Sequence, residues 1–381
     1  MGNPRIIRIE RGELEGVRPR KAGCNARLGE HGLTVRVPLV RLLTDDGVSG
    51  FGFSRVTREQ VEPLLGALVD EVFSLQRGVD AAWKVVEYPL WDLAGKLMRL
   101  PVYVMAAAVA GRAVATPLRV PCYDTSLYFD DLHLADTTAA AALIADEARA
   151  GYERGHLAFK IKIGRGARHL PLEEGMRRDI AVVRAVRSAV GAAATIMVDA
   201  NNGFNLNLTK RFLAETAECR LYWIEEPFHE DGVLYRDLKE WMREHSLSVL
   251  IADGEGDASP RLMDWARDGL IDVVQRDIIS WGFTQLLALA KQLDEWRCLN
   301  APHHYGTFYG NYAECHLAAA SDSFAFVEWD EASVAGLDAP GYVIQDGRVT
   351  VPHEPGFGLE LDDAAFRNAV ESNGYCLTLI S

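Results

Sequence analysis

Along the first third of the chain, apolar side chains tend to recur at every second position. Residues 6–10 alternate apolar and polar, residues 33–43 read as a second strand, and residues 48–53 return across an Asp45-Asp46-Gly47 turn. Between the first two strands lies a polar stretch, residues 18–32, holding Arg18, Arg20, Lys21, Arg27 and His31. From residue 59 to 107 the apolar period becomes helical, in at least two segments, and Leu100-Pro101-Val102 ends the one containing Leu90-Trp91-Asp92. This pattern predicts an α+β unit over residues 1–120.

From about Pro121 short apolar runs alternate with amphipathic stretches, which predicts βα units and a parallel sheet over residues 121–340. Helices are expected over 137–155, 178–188, 208–218, 260–267 and 284–294. The strands between them end in ionisable side chains. Intervals of 37, 26, 30, 22, 26 and 25 residues separate Lys162, Asp199, Glu225, Glu255, Asp277, His303 and Glu328. Each interval fits one βα unit, so the pattern predicts a (β/α)7-8 barrel of the TIM type, whose strand ends share one rim. Single strand-end acids are common helix caps, but seven successive ionisable ends are hard to explain as independent caps. Residues 341–381 read as a hairpin around Asp346-Gly347, a rigid Pro-Gly loop and a short helix.

The densest signal is Ala158-Phe159-Lys160-Ile161-Lys162-Ile163-Gly164. On a strand Lys160 and Lys162 point to the same face, and an apolar strand of this kind is normally buried on both sides. Two ammonium groups in such a place require anions opposite them. Asp199, Glu225 and Glu255 come from three consecutive strand ends, with Glu226 and Asp253 as competing positions. Converging carboxylates repel unless a hard cation lies between them. An all-oxygen set suits Mg²⁺ rather than zinc. Lys162 and His303 are the two base candidates, from nearly opposite sides, and Lys160 beside Lys162 is expected to lower both proton affinities. Asp277, on the strand before His303, is placed to bond one imidazole nitrogen; His304 is the rival imidazole.

Composition narrows the partners. The 381 residues are 49% hydrophobic and carry a formal net charge of −14, which disfavours nucleic acid as a ligand. Six cysteines without CxxC spacing suggest free thiols and a reducing, cytoplasmic setting. The N-terminus lacks the apolar core of a secretory signal, and no run reaches membrane-spanning length. The exposed apolar surface expected of an isolated barrel suggests a homo-oligomer.

Lys160-Ile161-Lys162, Val198-Asp199-Ala200-Asn201, Trp223-Ile224-Glu225-Glu226-Pro227, Gly254-Glu255, Asp277 and Ala301-Pro302-His303 together resemble the enolase superfamily and, within it, the mandelate racemase subgroup. Aspartate rather than lysine ends the sixth strand, which separates the chain from muconate-lactonising relatives; Arg276 departs from the proline frequent there. The resemblance implies a barrel capped by the N-terminal unit together with the returning C-terminal tail. It implies Lys162 as one base and a His303–Asp277 dyad as the other, around Mg²⁺ on Asp199, Glu225 and Glu255. It also implies that Lys160 and a protonated Glu328 donate to an enediolate made from a small-molecule carboxylate, with Asn201 in support. Dehydration of an acid sugar, aldonate or aldarate, is the expected reaction. Racemisation or epimerisation is the alternative, and a non-catalytic binding protein a third. Arg20 and Lys21 on the capping side and Tyr305 at the rim are expected to meet the distal end of the substrate.

Overall fold

A computed structural model describes residues 3–379. Its N-terminal sheet is built on one long strand, Ile6–Ala22, paired antiparallel with Gly32–Thr44, which pairs in turn with Ser49–Phe53. The first strand therefore runs through Arg18 and Arg20, where the sequence suggested a loop. Helix Glu87–Met98 lies on this sheet. Gly50 and Gly52 allow the approach, because a Cβ at either would strike the Leu93 or Tyr88 backbone. The buried Asp92 carboxylate joins the layers, accepting from Phe51 N (2.8 Å) and from Phe357 N (2.9 Å).

Eight parallel strands follow: Leu118–Leu127, Ala158–Lys162, Thr195–Asp199, Trp223–Glu225, Leu250–Asp253, Val273–Val274, Leu299–Asn300 and Val327–Trp329. Consecutive strands pair in parallel from the first to the seventh. The eighth pairs with the first, and an Asn300–Phe324 bridge closes the remaining gap. Seven crossovers carry helices, but the eighth strand runs instead to Ser333–Val334, which pairs with Ile6–Ala22. The barrel is thus (β/α)7β, within the expected range. The tail divides: Arg348–Val351 pairs with the first barrel strand, whereas Tyr375–Thr378 pairs with Ile6–Ala22.

Alternation along Ala158–Lys162 explains the barrel's layering. Phe159 and Ile161 point outward into the main core. Ala158 points inward to an apolar floor with Tyr123, Met197, Trp223, Ala252, Val273 and Ala301. Lys160 and Lys162, one and two pleats higher, rise above that floor. The strand is buried throughout and paired on both sides, so it is not an exposed sheet edge, where paired lysines serve to block pairing with another chain. All six cysteines are free, and no helix among the described residues is long and apolar enough to cross a membrane.

The N-terminal unit grips the barrel just past Asp277. Tyr88 donates to the Ile278 carbonyl (2.6 Å), and the Glu87 carboxyl accepts from Phe283 N (2.8 Å) and Thr284 N (3.1 Å) at the start of helix Phe283–Trp296. Burial pushes Glu87 up to about 7 despite those bonds. The folded chain keeps this proton to about pH 7, while the unfolded chain releases it near the ordinary 4.5. The group's stabilisation is therefore complete below about pH 4.5 and lost as pH rises through about 7. Denaturant unfolding at the two ends of that window should show wild type losing on the order of 3 kcal/mol more than Glu87→Gln. Equal losses would mean that Glu87 is already ionised when folded.

Candidate active site

The barrel rim gathers most of the residues singled out from the sequence. Register aligns Lys162 with Asp199 and Asp199 with Glu225. Glu255 follows the fifth strand by two residues. Asp277 and His303 lie three residues beyond the sixth and seventh strands and are bridged to each other. Lys162, on the second strand, and His303, after the seventh, are separated by the acid-bearing strands on one side and by the eighth and first strands on the other.

Each ammonium has a carboxylate. Lys160 Nζ lies 2.9 Å from both Glu225 Oε1 and Glu328 Oε1, and Lys162 is ion-paired with Asp199. Burial opposes both charges, but Glu225 and Glu328 hold Lys160 well above its ordinary range, and Asp199 raises Lys162. Lys160 does lower Lys162, as expected of two adjacent lysines, but Asp199 outweighs it and the net shift is upward.

His303 forms the expected dyad: Nδ1 lies 3.1 Å from Asp277 Oδ2, whose other oxygen accepts from Ser280 N (2.6 Å). The ring's Nε2 faces Glu255 Oε2 at 3.0 Å. Burial disfavours the cation, but Glu255 first, then Glu328 and Asp277, push His303 up to about 10. His304 turns the other way, under helix Gly310–Leu317, where Gly310 leaves room for its ring.

Acids outnumber bases on the opposite wall. Burial followed by Asp199 pushes Glu225 up to about 8. Burial followed by Glu255 pushes Glu226 up to about 10, and burial takes Asp253 to about 8. Asn201 supports this wall, donating its backbone N–H to Asp199 Oδ1 (2.8 Å) and its side-chain amide to Asp199 and Glu226. Buried oxygens of Asn201, Asp253 and Gln275 have no hydrogen-bond partner. No three His, Cys, Asp or Glu side chains stand as a ready metal cage among the described residues. Asp199, Glu225 and Glu255 are instead ion-paired with Lys162, Lys160 and His303. The donor set nonetheless fits a hard divalent cation: it is all oxygen, over-acidic, and retains unpartnered oxygens on that wall.

Glu328 departs from expectation. Its Oε1 accepts from Thr125 Oγ1 (2.7 Å) and lies against Lys160 Nζ, while Oε2 accepts from His304 N (2.8 Å) and Tyr305 N (3.0 Å). Although burial opposes its charge, Lys160, His303 and His304 hold it well below the carboxylate range. Four donors surround this carboxyl, so it is arranged as an acceptor where the resemblance implied a protonated donor.

Two of the expected distal contacts are also corrected. Arg20 is spent on Ser126 (2.8 and 2.7 Å) and lies beside Glu147, on the first barrel helix. Lys21 is more than half exposed and pairs with Glu30. N-terminal residues that do reach the rim include Arg18, bidentate on Asp330 at 2.9 and 2.7 Å, Arg27, 4.0 Å from Glu226, and His31. His31 packs against Tyr128 and Tyr305, and Tyr128 in turn faces Lys162 Nζ. Tyr305 is thus at the rim as expected, with its hydroxyl unpartnered. Cavities of 610 and 430 Å³ flank Glu255, the first reaching His303 and Tyr88, the second Asn201 and Glu226.

Sequence reasoning missed Gln275, which donates to Glu225 Oε2 (2.8 Å), and the Asn311–Glu314 pair around His304. A signal for that pair existed: Asn and Glu three residues apart share one helix face in an otherwise mostly apolar segment.

Known proteins share this fold and sequence pattern. A model of the enolase C-terminal domain-like family matches residues 143–365. A crystal structure of galacturonate dehydratase from Geobacillus sp., complexed with D-galacturonate and 5-keto-4-deoxy-D-galacturonate, is 46% identical, with TM-score 0.94 over 99% of each chain. A mandelate racemase/muconate lactonizing protein from Geobacillus sp. Y412MC10, complexed with magnesium and tartrate, is 46% identical, with TM-score 0.96 over 99% of this chain and 98% of its own. D-xylonate dehydratase of Haloferax volcanii is 26% identical over 87% of this chain and 85% of its own length. The chain belongs to the enolase superfamily, in its mandelate racemase subgroup.

Proposed function

We propose that this chain is a Mg²⁺-dependent acid-sugar dehydratase, a hydro-lyase that takes hexuronates first and aldonates or aldarates second. The carrying observation is that Lys162 and the His303–Asp277 dyad stand at nearly opposite strand ends, with Asp199, Glu225 and Glu255 on the strands between them. Similarity to a galacturonate dehydratase at 46% identity favours the uronate, and similarity to D-xylonate dehydratase keeps aldonates in view.

Asp199, Glu225 and Glu255 would hold the cation, which would supply Lewis-acid stabilisation of charge on the substrate carboxylate. Lys162, neutral once Asp199 no longer pairs with it, takes the proton from the carbon bearing the carboxylate. The C–H electron pair passes into the carboxyl group as an enediolate, towards which Lys160 directs its ammonium. His303, held by Asp277 through Nδ1, stands on the opposite side as the acid. Its Nε2 proton goes to the neighbouring hydroxyl as the C–O bond breaks, releasing water; the resulting enol becomes a 2-keto-3-deoxy acid or its uronate counterpart. Asp277 keeps the imidazole aimed. Residues 1–120 with 341–381 act as the cap, supported by the Tyr375–Thr378 pairing and by the reach of Arg18 and His31 to the rim. The six free thiols favour a cytoplasmic setting.

The test is a panel of hexuronates, aldonates and aldarates with Mg²⁺, read for keto-acid formation. Turnover should be greatest on one hexuronate. Solvent deuterium at the α-carbon of recovered acid without loss of water would instead establish the racemase or epimerase alternative. Neither signal on any member would overturn both.

A further inference from the structure

Three rings meet where the N-terminal unit touches the rim. Tyr128, just past the first barrel strand, stacks on Tyr305, beyond the seventh, with ring centres 4.9 Å apart. His31 stands edge-on to both, at 4.8 and 5.3 Å. Two cations lie over the tyrosines: Arg18 is 4.9 Å from the Tyr305 ring centre, and Lys162 is 5.2 Å from that of Tyr128. As apolar surface the rings satisfy one another. As polar groups they do not: the Tyr305 hydroxyl and His31 Nε2 are both buried, and neither has a hydrogen-bond partner. A folded chain seldom leaves such an atom unpaired, because its hydration is lost with nothing in return. Two of them on adjoining rings point to a ligand that offers polar atoms of its own.

The surroundings say what kind of group that is. Lys162 is already paired with Asp199, and Arg18 with Asp330. Burial, followed by Lys162 and Arg18, holds the His31 ring down to about 4, so it is neutral at ordinary pH. A phenol and a neutral imidazole suit a hydroxyl, which both donates and accepts; a carboxylate would call for an unpaired cation. Position says which end of the ligand arrives. Asp199, Glu225 and Glu255 belong to the third, fourth and fifth strands, whereas the ring trio spans the seventh and first strands and the N-terminal unit. An acid whose carboxylate lies at the three acids presents its far end to the trio.

The hairpin carrying His31 can admit that end. Its other limb is bonded to the barrel: Phe129 N donates to the Cys24 carbonyl (2.9 Å), and His169 and Arg168 reach the Asn25 and Arg27 carbonyls at 2.8 and 2.7 Å. His31, among the described residues, has no hydrogen bond to the barrel and is held there by ring packing alone. Its side chain is therefore the part that swings aside for a ligand.

We propose that His31 and Tyr305 form a specificity-determining pair that reads the far end of the substrate, and that the group read there is a hydroxyl and not a second carboxylate. The proposal rests on the acid-sugar reading and sharpens it, placing uronates and aldonates ahead of aldarates.

Tyr305→Phe and His31→Phe test it, since each keeps a ring in the stack and exchanges polar for apolar atoms. Without substrate, Tyr305→Phe should unfold at the wild-type temperature or above it, because an unpaired buried hydroxyl has been removed. A lowered midpoint would show that the hydroxyl already has a partner in the fold, and overturns the proposal whether or not any acid is turned over. With Mg²⁺ present, wild type should prefer a hexuronate to the aldarate of matching configuration. The ratio of their kcat/KM values should fall about tenfold in each variant. An acid that is not turned over is compared by its inhibition constant. Equal losses on both acids, or a wild type that prefers the aldarate, overturn the proposal and leave the dehydratase reading standing. Absence of turnover on every acid overturns that reading instead, and the midpoint then decides this one.

Discussion

Lys162→Met should reduce dehydration of the best acid by about 10³-fold and abolish exchange of its α-proton with D₂O, while His303→Asn should reduce dehydration as severely but leave exchange measurable. The difference follows from the arrangement of the two bases. Lys162 rises from the second strand and His303 stands beyond the seventh, so one side chain cannot take over the other's proton. Methionine keeps the length and the apolar stem of lysine but carries no proton. It also leaves Asp199 without its buried ion-pair partner, so circular dichroism and the thermal midpoint should be recorded with Mg²⁺ present to separate lost chemistry from lost fold. Asparagine at 303 retains a bond to Asp277 but cannot act as an acid. If His303→Asn dehydrates at the wild-type rate, the leaving-group role fails; if Lys162→Met still exchanges, the proton leaves from the other face.

Chelation should have an effect at least as large. Removing divalent metal should stop turnover, and Mg²⁺ should restore it. Adding about 100 Kd of Mg²⁺ to metal-free protein should stabilise the fold by about 2.7 kcal/mol, seen as a raised thermal midpoint. Metal-free protein should stay folded, because Asp199, Glu225 and Glu255 then pair with Lys162, Lys160 and His303 rather than face one another. Asp199→Asn and Glu225→Gln should weaken the Mg²⁺-induced shift. A midpoint indifferent to Mg²⁺ in wild type would show that these acids hold no cation.

Two of the departures concern charge. The lowering of Lys162 by Lys160 is expected from one strand taken alone, and the protonated Glu328 is what the resemblance implies. Across the barrel each group meets an opposite charge closer than its like-charged neighbour. Arg20 and Lys21 fail as distal contacts for a separate reason. The pairing of the first two strands is irregular between Val17 and Ala22, so residues close together in a basic stretch diverge: Arg18 reaches Asp330, Arg20 turns to the first barrel helix, and Lys21 to solvent.

The chain's own order of residues determined the barrel, the place of every ionisable strand end and the facing pair of lysines, since pleat period and βα spacing are local properties that side-chain pattern records directly. It also determined the His303–Asp277 dyad, because neighbouring strands in a parallel barrel follow sequence order. Only the tertiary structure decided which charge each group carries and which of the two adjacent histidines faces the rim. Those outcomes depend on Coulomb energies between residues up to 312 positions apart, such as Arg18 and Asp330, and on desolvation inside the closed barrel, neither of which has a period in the sequence.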